Sequence, residues 1–237
     1  MRKNRLAPAA LRPAFRAHKQ LFWVVMAAPA FDMDQALAYL ARSDERLAAL
    51  IARARPFRLR PQPRHGPYEA LLEAIVYQSI SGKAAKAVMN RVKRLAGGCC
   101  PSPEQVRRMR AATLRRAGLS AAKCAAAKDL ARAALSGLVP TLAEARRMSD
   151  QELVDRLVTI RGIGAWTVEM FLIFRLGRPD VWPVHDYGVR KGFALVYGWP
   201  RLPVARELSE QGERWRPYRT MAAWYLWRAV ELAEAKR

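Results

Sequence analysis

The sequence predicts an all-α globule, and three observations predict it. Apolar residues recur at helical spacing within segments rich in Ala, Leu, Arg and Glu, most of them strong helix formers. Alternating Val, Ile and Thr runs of the kind that mark strands are scarce. Helix-start signatures follow one another at short intervals without a fixed-period repeat, which points to a globule and not a solenoid. At 237 residues the chain is long enough for one large or two small domains with a real core.

The elements follow in order. Residues 34–41 form a short helix, and Ser43-Asp-Glu opens another to about Ala54, with Leu47, Leu50 and Ile51 on one face. Residues 55–67 hold four prolines and read as a linker. Pro67 opens a helix to about Gln78 that buries Leu71, Leu72, Ile75 and Val76. Ser81 caps the next, which turns Val88, Val92 and Leu95 inward before Gly97-Gly98 ends it. Ser102 is a cap with Pro103 at the first helical position, and residues 111–118 are a turn-rich piece ending at Gly118. Ser120 caps an Ala-rich helix to about Leu135, stopped by Gly137, and Thr141–Met148 is a short helix. Ser149-Asp-Gln-Glu152 is a capping box whose helix runs to Ile160. Helices then span about Ala165 to Leu176, Asp186 to Tyr197 and Arg219 to Ala235, roughly ten in all.

Composition narrows the partners. Lys and Arg number 42 against 20 acids, a formal charge of +22. Such an excess favours polyanions, because each neutralised phosphate releases counterions. Arg dominates the excess, as it would in a generically basic protein from a GC-rich genome that uses Arg for Lys, so charge alone makes nucleic acid only the leading partner. The three cysteines, Cys99, Cys100 and Cys124, are odd in number and lack framework spacing, which argues against a disulfide scaffold. They also rule out a four-cysteine iron–sulfur site within this chain.

Residues 1–31 form a basic leader, free of acids over residues 1–20 and apolar over residues 21–30. A signal peptide or an organelle transit peptide shares these traits. The preferred expectation is an unstructured leader, or a start assigned too early, with Met26 or Met33 the true beginning. The ten-residue apolar run is too short to span a bilayer. The expected location is the cytoplasm, with the bacterial nucleoid, organelle targeting staying open.

The densest chemistry lies in residues 157–186. Gly162 and Gly164 permit positive φ and therefore a sharp turn between two helices. A turn of this kind exposes the N–H groups of the following helix, which bind phosphate together with the helix dipole. A bare Gly-x-Gly is more often an ordinary turn. Asp186 follows Pro183 at a helix start, where Asp is most often a simple cap.

Taken together, Leu157-Val-Thr-Ile-Arg-Gly-Ile-Gly-Ala-Trp-Thr167 and Leu176-Gly-Arg-Pro-Asp-Val-Trp-Pro-Val-His-Asp186 resemble the helix-hairpin-helix DNA glycosylases with a Gly/Pro-rich loop and a catalytic aspartate (HhH-GPD). Within that superfamily the likeness is to the 3-methyladenine DNA glycosylase II group. It extends to Pro67–Ser81, to Gly118-Leu-Ser-x₃-Cys-x₃-Lys128 and to Trp215–Trp227, covering about residues 35–235. Too little chain precedes Pro67 for the mixed α/β domain that some members carry, so the likeness is to the compact form. The resemblance implies one helical domain over 32–237 in two lobes, with the active-site cleft between them and the helix-hairpin-helix motif at 150–176.

It also implies roles. Asp186 becomes the catalytic carboxylate, facing the sugar C1′ and stabilising the oxocarbenium-like charge that appears as the base leaves. Trp166 occupies the position where bifunctional relatives carry a Schiff-base lysine, so this chain is expected to use water and to leave an abasic site without nicking. Trp166 and Trp227 would wall the base pocket, with Met170 and Tyr187 nearby; Met170 replaces an aromatic found in some relatives. Cationic alkylated purines stack well on indole once flipped out. Gln78, Ser79 and Ile80 lie where the family wedges the gap in the duplex, Ile80 being the bulkier candidate. Gly162, Gly164, Arg161, Lys83, Lys86 and Lys191 are candidate phosphate contacts. His185 stands where some relatives have a second acid and could touch a phosphate. Main-chain carbonyls of Val158, Ile160 and Ile163 would hold a monovalent cation, and no other cofactor is required.

The expected function is a monomeric, monofunctional glycosylase that releases alkylated purines from duplex DNA. Two alternatives stay open: a non-catalytic helix-hairpin-helix DNA-binding protein, and a glycosylase for deaminated or mismatched bases.

Overall fold

The structure is a computed structural model that describes residues 32–54, 56–59 and 66–235. The leader at 1–31 and most of the proline-rich linker lie outside the described residues. Within them the chain is helical and has no strand, as the sequence predicts.

Thirteen α-helices are described: α1 (Met33–Ser43), α2 (Glu45–Arg53), α3 (Pro67–Tyr77), α4 (Gly82–Arg94), α5 (Pro103–Arg108), α6 (Ala111–Arg116), α7 (Ala121–Leu135), α8 (Leu142–Arg147), α9 (Asp150–Leu157), α10 (Ala165–Phe171), α11 (Tyr187–Tyr197), α12 (Ala205–Gly212) and α13 (Arg219–Ala235). A π-turn at Leu172–Leu176 continues α10, and a 3₁₀ turn at Glu213–Trp215 follows α12.

They pack in two groups. In the first, α3 packs against α4, α7 and α10, while α5 and α6 pack on α7 and α9 on α10. In the second, α13 packs on α11 and α2, and α1 leans on α2. The first and last described helices therefore share a group, and the middle forms the other. Helix α3 is the hub of the first group because it is apolar on most sides: Tyr68, Leu71, Leu72, Ile75, Val76 and Tyr77 are all buried. The expected inward residues of α2 and α4 are also buried or partly buried, with one exception. Leu95 lies just past the last turn of α4 and is 41% exposed.

Caps explain most boundaries. Ser102, Thr141 and Ser149 each form a reciprocal capping box with the residue three ahead, satisfying two orphan N–H donors apiece. Ser81 and Ser120 cap as expected. The break near Ser43 falls one residue later. Asp44 caps α2 through the Leu47 N–H, while Ser43 ends α1 and donates back to the Tyr39 carbonyl at 2.8 Å. Residues 111–116 form a helix and not a turn-rich piece, and α9 stops at Leu157, three residues short of Ile160. The α12 segment, absent from the sequence expectation, is a genuine helix that buries Leu208.

Candidate active site

Three parts of the fold meet at Asp186. The first is the loop that delivers it. Residues 177–186 run back across the N-terminus of α13, where Thr220 is wholly buried. Its Oγ1 accepts from the Val181 N–H at 2.9 Å and donates to the Arg178 carbonyl at 2.7 Å. Asp180 pairs with Arg219 at 2.8 Å and Arg216 at 2.9 Å. Trp182 is buried and donates through Nε1 to the Leu208 carbonyl of α12 at 2.8 Å. The loop is thus pinned at Arg178, Asp180, Val181 and Trp182, shortly before the carboxylate, a rigid support of the kind a site needs.

The second part is the crossing of α11 and α13. Gly192 sits where a Cβ would lie 2.1 Å from the Leu226 carbonyl oxygen, so the two backbones approach as closely as they can. That approach sets Trp227 opposite the start of α11. The third part is α10, which begins at the hairpin and carries Trp166 on its first turn.

The result is a carboxylate held from three sides. Asp186 Oδ1 accepts from the Val189 N–H at 2.8 Å and from Trp227 Nε1 at 2.7 Å. Its Oδ2 accepts from Trp166 Nε1 at 2.9 Å. Asp186 is therefore the helix cap that its position suggests and, in addition, the meeting point of both tryptophans. It is only 8% exposed. Trp166, Trp227 and Tyr187 are half-buried around it, whereas Met170 is buried in the core. The π-turn brings Phe174 onto the face of Trp227, with ring centroids 5.7 Å apart and planes 19° apart. Such turns are rare and frequent at functional sites. Behind it Arg175, almost wholly buried, pairs with Glu73 of α3 at 2.8 Å.

The hairpin differs from expectation in one respect. Gly162 has φ +80°, and a Cβ there would come within 2.7 Å of the Ala126 Cβ on α7, so glycine is required twice over. Gly164 has φ −98° and extended backbone; it is the N-cap of α10. Its surroundings are open, with nothing within 4 Å of an added Cβ. One hairpin N–H is already engaged by the protein: Arg161 N donates to Asp129 Oδ2 at 2.9 Å, a bond that holds the Asp129 carboxyl below the usual carboxylate range.

The turn at 78–81 is tied to the hairpin. Gln78 Nε2 donates to the Gly162 carbonyl at 2.9 Å, and Lys123 Nζ donates to the carbonyls of Val76 at 2.8 Å and Gln78 at 2.6 Å. These bonds secure a left-handed residue, Ser79, with φ 57° at an exposed tip. The structure thus separates the three wedge candidates. The Gln78 side chain is engaged with the hairpin, Ile80 packs against the core, and Ser79 stands outward.

Of the expected phosphate contacts, Arg161, Gly162, Gly164, Lys83 and Lys86 are exposed. Lys191 is turned to α13, where it pairs with Glu234 at 3.4 Å. His185 is exposed. The Ile160 carbonyl accepts from the Ile163 N–H at 3.0 Å, which closes the hairpin and leaves it a second lone pair. Among the described residues no cluster of His, Cys, Asp and Glu could hold a metal, and no helix is long and apolar enough to cross a membrane.

Sequence reasoning missed Glu169. It lies one turn beyond Trp166 on α10, half-buried, with Oε2 shut off from solvent and without a hydrogen-bond partner. Burial, and then the nearby Asp186, pushes its carboxyl up to about 7. In the sequence it reads as one more helical Glu, and nothing at the level of pattern sets it apart.

A Gly-turn hairpin between two helices, with a pinned carboxylate beside it, fits the class of helix-hairpin-helix base excision enzymes. Residues 72–217 match the family described as "HhH-GPD superfamily base excision DNA repair protein". The chain belongs to that superfamily. It is 41% identical over 206 residues to "DNA-3-methyladenine glycosylase 1" of Schizosaccharomyces pombe, covering 85% of this chain and 90% of that protein. It is 32% identical to the "Alkylbase DNA glycosidase-like protein mag2" of the same organism, covering 85% and 95%. Among solved structures it is similar to the S. pombe 3-methyladenine DNA glycosylase (Mag1) in complex with abasic DNA, with a TM-score of 0.74, 40% identity and coverage of 84% and 98%. A DNA-3-methyladenine glycosidase from Bacillus halodurans aligns with a TM-score of 0.77 at 33% identity, covering 89% and 95%.

Proposed function

We propose that this protein is a monofunctional DNA glycosylase that flips alkylated purines such as 3-methyladenine out of duplex DNA. It would release them by hydrolysis and leave an abasic site for base excision repair. The observation that carries the proposal is the Asp186 carboxylate with its two indole donors. Relatives named for 3-methyladenine excision, aligned over most of both chains, support the substrate class.

The chemistry follows from lone pairs. A carboxylate has about four acceptor sites, and Asp186 uses three on the protein. The fourth, on Oδ2, is left for a sugar or a water. Departure of the base leaves positive charge at C1′, and a carboxylate fixed in advance stabilises it without reorganising. A cationic base is already a good leaving group and stacks on an indole face. Position 166 offers an indole and no amine, so the attacking group is water. On the backbone, the hairpin at 158–164, Lys83 and Lys86 would take the phosphates, and Ser79 would enter the gap opposite the flipped base. The carbonyls of Val158, Ile160 and Ile163 would hold a monovalent cation, which supplies positive field to the nearby phosphate.

The test is incubation with methylated duplex DNA and chromatographic identification of what is released. Free 3-methyladenine, an intact strand with an abasic site, and no borohydride-trapped adduct are expected. DNA binding without base release would instead identify a non-catalytic binding protein.

A further inference from the structure

We propose that Glu169 is a second acidic group of the base pocket and that it sets the preference for positively charged lesions. The inference rests on the glycosylase function proposed above.

The geometry comes first. Glu169 lies three residues after Trp166 and one before Met170, so it shares the face of α10 that carries the Asp186 contact. Its Oε2 is buried with no hydrogen-bond partner. Among the described residues, the buried Asp44 pairs with Tyr197 at 2.7 Å and the half-buried Glu73 with Arg175 at 2.8 Å. A buried polar oxygen without a protein partner is costly and calls for an explanation, and beside a candidate catalytic carboxylate a functional one is available. The charged group that acts on Glu169 is Asp186, at the start of α11, and it disfavours ionisation. The donors Trp166 and Trp227 are neutral, and Arg175, on the following turn, is engaged with Glu73. Together burial and Asp186 place the Glu169 carboxyl at about 7, where its two forms are nearly equal in free energy.

A pocket with such a group responds to the charge of its guest. When a cationic purine enters, its positive charge favours the carboxylate, and Glu169 releases its proton to bulk water. The cation then faces two negative groups. A neutral purine supplies no such field, and Glu169 stays protonated. An opposite charge a few ångströms away shifts a carboxyl by roughly one unit or more, and one unit is about tenfold in binding.

The experiment compares release of 3-methyladenine, whose nucleoside carries a fixed positive charge, with release of neutral hypoxanthine from duplex DNA, under single-turnover conditions. For Glu169→Gln, the ratio of the two rates should fall about tenfold while the melting temperature at pH 5 stays near that of the wild type. An unchanged ratio in a folded variant overturns the proposal. If Glu169→Gln does not fold, the wild-type ratio between pH 6 and pH 8 decides instead. It should rise with an inflection near 7, and a flat ratio overturns the proposal. Failure of the wild type to release either base refutes the underlying glycosylase function, a result distinct from release with an unaltered ratio.

Discussion

With three of its acceptor sites bonded to Val189, Trp227 and Trp166, the Asp186 carboxylate has little rotational freedom. A carboxylate held in one place suits the stabilisation of developing positive charge. Under the proposed function the tryptophans would have two jobs, walling the base pocket and aiming the carboxylate, and phenylalanine separates them because it keeps a ring and removes the N–H. A hydrogen bond to a charged group contributes about 1.5–3 kcal/mol. Trp227→Phe should therefore lower the single-turnover excision rate by roughly 10–100-fold while DNA affinity stays near the wild-type value. A loss of affinity with an unchanged rate would assign Trp227 to packing alone. The sequence made Asp186 and both tryptophans legible because each falls in a segment with a strong resemblance. It left Glu169 invisible, since the property that matters there is a missing partner, which only three-dimensional packing reveals.

At the scale of elements, the site depends on how closely α11 approaches α13. Gly192→Ala would place a methyl group against the Leu226 backbone, which cannot retreat without moving Trp227. Overpacking of this kind costs about 1–3 kcal/mol, so the melting temperature should drop and excision should fall further than in Trp227→Phe. Wild-type activity in this variant would show that the crossing does not set the site. Helix starts were legible because Ser and Thr caps with Glu or Gln three residues on are a local code. What escaped was decided beyond local sequence. Ser43 and Asp44 are both competent caps, and the turn geometry chose the second. Leu95 follows the apolar period of α4, but the helix ends before it. Helix α12 hides in a charged stretch, since its main buried side chain is Leu208. Gly164 looked equivalent to Gly162, yet only Gly162 lies against Ala126 and turns left-handed.

Two properties belong to the whole molecule. With a formal charge of +22, DNA binding should weaken steeply with salt. Each neutralised phosphate adds about −0.9 to the slope of log affinity against log salt. A slope shallower than about −2 would contradict a grip through hairpin and lysines together. Stability should also depend on pH through Glu169. Its folded carboxyl titrates near 7 against 4.5 for an ordinary Glu, so the folded state binds more protons between those values. Stability from this group is thus present at low pH and lost as pH rises toward 7. Glu169→Gln should melt higher than wild type at pH 8 and nearly level with it at pH 5. An equal gap at both would show that burial of the carboxyl has no energetic consequence.

The central claim is that the fixed charge of Asp186 drives base release, and Asp186→Asn tests it most directly. Asparagine can still accept from Val189 and Trp227 through one oxygen, but its amide cannot accept from Trp166. The fold and DNA binding should survive with a modest loss of stability. Single-turnover release of 3-methyladenine from methylated duplex DNA should fall by roughly 10²–10³-fold or more. Release by Asp186→Asn at the wild-type rate would contradict the account.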